Sequence, residues 1–246
     1  MNYNWNWSIF WAPAPDGSGT YMYTLIKGVY WTLGVSALAW IIALIVGVMV
    51  GVLRTGRIKW LANICAGYVE IFRNIPLLVQ LFLWYFVFPE IVPKALGDFI
   101  KSADPTLSTF WTAVVCLGLF TSTRVAEQIR AGINSLPVGQ NMAGTALGLR
   151  RAQVYRYILL PETVRIIMPP LTSEALNLIK NTSVAFTIGL IEITGAARSM
   201  QEFSFQIFES FAAATVLYLI INTVVVILMR YIEKWISVPG FIGTEK

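Results

Sequence analysis

Ser173, Asn177, Lys180 and Asn181 recur at i, i+4, i+7 and i+8, so on a helix they share one face, with Glu174 beside them. That face puts hydroxyl, amide, ammonium and carboxylate groups into an otherwise apolar stretch, residues 166 to 191. Two kinds of chemistry are within its reach: contact with a small charged solute, and hydrogen bonding to neighbouring helices. Arg124, Glu127 and Arg130 follow a related spacing of three. A solute carrying two carboxylates and one ammonium gains from a fixed cation that forms charge-assisted hydrogen bonds, and Arg124 and Lys180 are the candidates. Internal pairing of Arg124 with Glu127 is the competing expectation.

Catalytic chemistry finds little support. The chain contains no histidine, which excludes HExxH metal chemistry and a Ser-His-Asp triad. A Ser-Lys pair would rest only on the nearness of Ser173 or Ser183 to Lys180 in sequence. Cys65 and Cys116 lie in or beside apolar runs and read as small buried hydrophobes, with neither metal nor disulfide expected. A GxxxxGK[ST] nucleotide loop is missing, so this chain is expected to bind no cofactor, and any ATP with its magnesium belongs to a separate polypeptide.

The elements that must position these residues are membrane helices. Of 246 residues, 57 % are hydrophobic and 13 % charged, and the mean hydropathy of +0.66 lies outside the range of soluble domains. A helical crossing needs roughly 20 mostly apolar residues. Residues 28 to 53, 105 to 123 and 210 to 229 are free of charge and long enough. Residues 74 to 89 are uncharged but short, so that helix must borrow length from Tyr68 to Arg73 or cross a protected region. The stretch from 166 to 191 is the fifth; its Glu174 and Lys180 would cost about 5 to 7 kcal/mol facing lipid, against roughly 3 to 6 returned by its aliphatic residues and phenylalanine. The expectation is a single all-α, polytopic membrane domain over residues 1 to 246 with five transmembrane helices.

Lysine and arginine set the orientation. Residues 54 to 73, 124 to 165 and 230 to 246 hold four, six and three, against one, two and one in residues 1 to 27, 90 to 104 and 192 to 209. The first group is expected in the cytoplasm, with the N-terminus outside and the C-terminus inside. The same asymmetry explains a pI near 9.3 without a nucleic-acid partner. At the N-terminus, residues 1 to 19 lack the pattern of a cleaved signal, and Trp5, Trp7, Phe10 and Trp11 suit contact with lipid headgroups.

Residues 134 to 165 form the longest expected cytoplasmic loop, and within it NMAGTALGLRRAQVYRYILLP, residues 141 to 161, reads as helix, bend, helix. Asn141 to Leu147 is the first arm, Gly148 the stop, and Arg150 to Leu160 a second arm ended by Pro161. Arg150, Gln153 and Tyr157 share a stripe while Arg151 and Arg156 fall elsewhere, a mixture suited to a helix gripped by protein on several sides.

The spacing Ala143-Gly144, Gly148, then Ile158-x-Leu160-Pro161 resembles the EAA loop of permease subunits of bacterial ABC importers, which reads Glu-Ala-Ala-x3-Gly-x9-Ile-x-Leu-Pro. Met142 stands where that family often has Glu, and Gly144 where it has the second Ala. YVEIFRNIPLLVQLFLWYF, residues 68 to 86, is similar to the start of the second span in polar amino-acid permeases, with Glu70 and Arg73 placed to neutralise each other and Pro76 in the first turn of the apolar run. RVAEQIRAGINSLPVGQ, residues 124 to 140, and KNTS, residues 180 to 183, extend the likeness, which is nearest to glutamate/aspartate permease subunits.

The resemblance implies a type I ABC importer transmembrane domain in a bacterial inner membrane, with residues 134 to 165 as its coupling loop. Ala143, Gly144, Leu147, Gly148, Arg150, Arg151, Ile158, Leu160 and Pro161 would then engage a dimeric ATPase subunit. The implied partners also include an extracytoplasmic solute-binding protein, a second permease subunit, identical or related, and membrane lipid. Arg124, Glu127, Ser173, Glu174, Asn177, Lys180 and Asn181 would line the path of a polar amino acid. A permease for another polar amino acid, glutamine, arginine or histidine, is the alternative expectation, and an ion-coupled secondary transporter the more distant rival, since paired repeats are not evident.

Overall fold

Runs of apolar residues must close their own backbone hydrogen bonds where no water is available, and helices are the economical way to do so. The computed structural model describes residues 3–15, 17, 19–56 and 58–237. Arg57 and Lys246, both part of the charge asymmetry, lie outside the described residues. A 3₁₀ turn over Trp7–Trp11 precedes α1 (Tyr21–Arg54), α2 (Lys59–Asn74), α3 (Leu77–Phe82), α4 (Phe88–Ile91) and α5 (Lys94–Ser102). There follow α6 (Pro105–Ser135), α7 (Val138–Ala146), α8 (Arg151–Val154), α9 (Leu160–Asn181), α10 (Ile193–Ser204) and α11 (Ile207–Ile236). Wide π turns over Leu83–Val87 and Tyr155–Leu159 join α3 to α4 and α8 to α9, and a 3₁₀ stretch, Thr182–Ile188, extends α9.

Among the described residues α1, α6 and α11 are long and apolar enough to cross a membrane, and α2 with Leu77–Ile91 makes a fourth, broken candidate. The short apolar run does not borrow Tyr68 to Arg73 as a straight extension. The helix ends at Asn74 and restarts at Leu77, because Pro76 steers the residue before it into extended backbone and sits ahead of the new helix rather than inside its first turn. α9, interrupted by Pro169 and Pro170 and carrying Glu162, Arg165, Glu174 and Lys180, is not among the long apolar helices.

Contacts divide the chain into two compact units, the first made of residues 1–41, 75–118 and 177–224, the second of 42–74, 119–176 and 225–246. In the first unit the organising group is Glu192, buried at the N-cap of α10. Its carboxylate accepts the Thr194 and Gly195 backbone N–H groups, each at 2.9 Å, and the Tyr218 hydroxyl of α11 at 2.8 Å. Burial pushes this carboxyl up from the ordinary range, and the donors from Thr194, Tyr218 and Gly195 pull it part of the way back. The Ile193 N–H donates to Thr32 on α1 at 3.3 Å. Gly28 lets α1 approach so closely that a Cβ there would lie 3.0 Å from the Glu192 backbone. Gly189, at φ +94°, makes the left-handed turn that brings Glu192 into place.

The same unit ties down the N-terminus. Buried Glu209, in the first turn of α11, accepts the Tyr3 hydroxyl and, at 2.7 Å, the Asn6 backbone N–H. Trp5 and Trp7 stack with centroids 5.6 Å apart, and Tyr3 meets Phe208 edge-on at 4.6 Å.

The second unit rests on close helix approach. A Cβ on Gly47 or Gly51 of α1 would lie 2.6 Å and 2.7 Å from the Cβ atoms of Val125 and Ile129 on α6. Two small residues four apart remove the side-chain layer that would hold the helices apart. Val50, Cys65, Val69 and Ala126 form the adjoining core, and the Tyr68 hydroxyl bonds the Leu119 carbonyl at 3.0 Å and Ser122 at 2.7 Å. Cys65 here and Cys116 in the first unit are buried, as expected.

These contacts give two expectations. Gly51→Ala should lower stability by about 1–3 kcal/mol, because the crowding atoms are a backbone carbonyl and a β-carbon that cannot swing aside. Gly67→Ala, where nothing lies within 4 Å, should be neutral or slightly stabilising. Glu192→Ala should cost about 2–3 kcal/mol by opening the cap and stranding the Tyr218 hydroxyl, with Glu192→Gln losing less. Thermal unfolding of the detergent-purified protein reads all four.

Candidate functional site

The segment after α6 folds as an elbow. α7 begins at Val138, earlier than the expected Asn141, with Pro137 in extended backbone just ahead of it as the N-cap. Gly148 ends it at φ +77°: the Leu149 N–H reaches the Gly144 carbonyl at 3.1 Å and the Gly148 N–H the Thr145 carbonyl at 3.0 Å. This is the left-handed stop that glycine makes cheaply. The second arm then opens with the Gln153 side chain accepting the Arg150 N–H at 2.8 Å.

Pro161 does not end this arm. The helix runs on from Arg151 through the π turn and into α9 as far as Asn181. A π turn already omits the ordinary i→i−4 bonds and widens the backbone, so the proline ring immediately after it needs no N–H of its own. The elbow is thus continuous with the helix that bears the polar stripe.

One side of the elbow is anchored. Leu136, Val154 and Leu159 are buried together, with Leu149, Tyr155 and Ile158 packed against them. Gly144 is buried beneath Ile158 and Val154. The Tyr155 hydroxyl donates to the Thr55 carbonyl beyond α1 at 3.1 Å, and Arg151 reaches the same carbonyl at 3.4 Å while lying over the Tyr155 ring. The other side is bare. Val138, Met142 and Leu147 are 67 %, 66 % and 80 % exposed, and Ala143, Gly148 and Arg150 stand open beside them. Met142, in the position of the family's Glu, therefore presents an apolar knob where a charge was expected. Leu160 and Pro161 are half-buried at the start of α9.

The candidate path residues separate into groups. Arg124 and Glu174 come together across α6 and α9 at 3.9 Å, with the guanidinium also over the Phe120 ring. Arg124 does not pair with Glu127. Glu127 instead receives Arg54, Arg130 at 2.9 Å and, more loosely, Arg73 at 3.7 Å. The expected neutralisation of Arg73 by Glu70 does not occur: Glu70 accepts from Asn74 at 3.4 Å, and Arg73 turns to the more buried carboxylate. Ser173 is exposed on α9. On its last turns, in the first unit, Asn177 and Asn181 are half-buried, while Lys180 is exposed and forms no ion pair among the described residues. Ser183 bonds the Lys180 backbone carbonyl at 2.7 Å, which is ordinary helix chemistry and no nucleophile-base pair.

Sequence reasoning missed the apolar stripe of α7 and the capping role of Glu192. The first had a signal, since Val138, Met142 and Ala146 recur every four residues. The second had none beyond an acid followed by Thr and Gly.

The profile of the family described as "Binding-protein-dependent transport system inner membrane component" matches residues 43–238. The glutamate/aspartate import permease protein GltJ of Escherichia coli K12 is 44 % identical over 244 residues, covering 99 % of each chain. The glutamine transport system permease protein GlnP of the same strain is 32 % identical over 230 residues, covering 93 % of this chain and 96 % of that one. In three dimensions a chain from the "Crystal structure of an amino acid ABC transporter with histidines" superposes with a TM-score of 0.72 at 28 % identity, over 87 % of this chain and 94 % of that one. An inward-facing methionine transporter MetNI shares the fold, with a TM-score of 0.72 at 20 % identity over 88 % of this chain and 98 % of that one. The all-helical architecture, the glycine-stopped elbow and these likenesses agree, and the chain belongs to the family of binding-protein-dependent transport system inner membrane components.

Proposed function

We propose that the chain is the permease subunit of an ATP-driven importer of polar amino acids, with glutamate and aspartate its substrates. The observation that carries the reading is mechanical. An elbow with an exposed apolar face is packed on its other side, braced on the end of α1, and continuous with the helix bearing Ser173, Asn177, Lys180 and Asn181. Force applied at the bare face enters the same helix, α9, that carries the polar stripe.

In this reading the permease is one domain. α1, the broken pair α2 with Leu77–Ile91, α6, α9 and α11 make five crossings, the N-terminus lies outside, and the elbow and C-terminus face the cytoplasm. A dimeric ATPase holding ATP and magnesium grips Ala143, Leu147, Gly148 and Arg150 together with the exposed Val138 and Met142. Arg151 and Ile158 hold the elbow's inner side, while Leu160 and Pro161 hand its movement to α9. A solute-binding protein delivers cargo from outside, and a second permease subunit completes the path. Lys180 meets a substrate carboxylate, while Arg124 and Glu174 form a pair that a passing solute opens. Glu127 is left out of the path, because its carboxylate is occupied by arginines from α1, α2 and α6.

The 44 % likeness to GltJ supports acidic substrates, and the 32 % likeness to GlnP makes glutamine the runner-up. Uptake of labelled glutamate, aspartate and glutamine by proteoliposomes holding the whole importer decides between them. Lys180→Gln should reduce glutamate uptake roughly tenfold or more, the loss of one charge-assisted hydrogen bond, and leave glutamine less affected. Equal loss for both would remove Lys180 from substrate selection.

At the elbow, Gly148→Val forces a β-branched residue into the left-handed region at a cost of about 1–3 kcal/mol. Transport should fall while ATP hydrolysis by the assembled complex persists. Gly144→Ala should retain coupling, because the nearest obstruction is the mobile end of Ile158 at 2.9 Å.

A further inference from the structure

α11 has 30 residues, so it is about 45 Å long, against roughly 30 Å for the hydrocarbon core of a bilayer. Its two ends therefore reach the headgroup layers. Near its C-terminal end lies a groove of 520 Å³ between α11 and the start of α9, within the size range of small-molecule sites. Leu160, Pro161 and Val164 form an apolar wall, Trp235 stands at the edge with 87 % of its surface exposed, and Arg156 and Arg165 line the same space.

The two arginines are differently held. Arg165 donates through Nε to the Ile236 carbonyl at 3.0 Å, which caps α11 and fixes the plane of the guanidinium. Its terminal amino groups make no further hydrogen bond among the described residues. Arg156 lies over the Tyr157 ring at 5.7 Å. Neither forms an ion pair among the described residues, although Glu162 and Glu233 are close in sequence. Arg230 and Lys234 stand exposed on the preceding turns of α11 and add to the positive field.

We infer that this groove binds an anionic phospholipid, its phosphate held between Arg156 and Arg165 and one acyl chain laid along Leu160, Val164 and Trp235. Charge complementarity selects the occupant. Two guanidiniums with no ion pair among the described residues call for phosphate, the apolar wall calls for hydrocarbon, and a tryptophan at the edge belongs where the two meet. A zwitterionic lipid would bring an ammonium that the arginines repel. In the proposed orientation the site faces the inner leaflet, but it requires only that α11 cross the bilayer, so it can fail or hold independently of the transported substrate.

The test uses the assembled importer in nanodiscs of phosphatidylethanolamine containing a trace of photoactivatable phosphatidylglycerol, with a photoactivatable phosphatidylethanolamine as the parallel arm. Cross-linked peptides are mapped by mass spectrometry. Labelling by the glycerol lipid should concentrate on peptides spanning residues 156–165 and 231–237, fall about fivefold in Arg156→Gln, and recover in Arg156→Lys. Arg165→Gln should lose about as much, but it also uncaps α11, so Arg156→Gln is the deciding variant. Equal labelling by both lipids would reduce the groove to ordinary boundary lipid and overturn the assignment. Loss of labelling on adding millimolar inorganic phosphate would point to a soluble anion instead. No labelling in the assembled importer would mean that a partner subunit covers the groove, which also refutes it.

Discussion

In hydrocarbon a carboxylate or an open backbone amide has no water to fall back on, and each must be satisfied by another part of the chain. Three acids of this protein, Glu127, Glu192 and Glu209, meet the requirement by joining separate segments. Glu127 gathers arginines from α1, α2 and its own helix. Glu192 closes the first turn of α10 and takes a hydroxyl from α11, and Glu209 straps the N-terminus to the start of α11. Removing one partner from such a pair strands the other, which is why groups that contribute little net stability still fix the arrangement firmly. Against that pattern Lys180 is conspicuous, an exposed cation near the end of α9 with no ion pair among the described residues.

Close packing does the rest. Glycines at 47 and 51 bring α1 onto α6, and Gly132 does the same for α6 and α9, where a Cβ would lie 2.7 Å from Ile167 and 2.8 Å from Thr163. Contacts this tight leave little slack for side-chain adjustment. On the proposed reading the exposed Val138, Met142 and Leu147 are where the elbow takes up a partner's movement, because large exposed apolar residues on a short helix call for a protein surface to cover them.

Much of this was legible in the sequence because it is local. The charge-free runs, the glycine stop at 148, the buried cysteines and the polar face of α9 each follow from a few neighbouring residues. What escaped depends on distant partners. Glu70 and Arg73 sit three apart and look like a pair, yet Arg73 turns to Glu127, more than fifty positions away, since a half-buried carboxylate needs a counter-charge more than an exposed one does. Glu192 resembles any acid at a helix boundary until Tyr218 and Gly28 are placed around it. Pro161 reads as a helix breaker in isolation, and only the wide turn before it makes room for the ring. Gly47 and Gly51 carried a readable signal in their spacing, with nothing in the sequence to name the helix they would meet.

The widened turn at Tyr155–Leu159 has a bearing on how such proteins can diverge. Such a turn holds about one residue more than an α-helix of the same height, and each residue of an α-helix accounts for about 100° of rotation. Loss or gain of a single codon there would swing the elbow's arm around the axis of α9 without disturbing the glycine contacts inside the bilayer. On the proposed reading, the azimuth at which the elbow meets an ATPase is therefore a separately adjustable dial, and related subunits could suit differently shaped sockets while keeping the same helix packing.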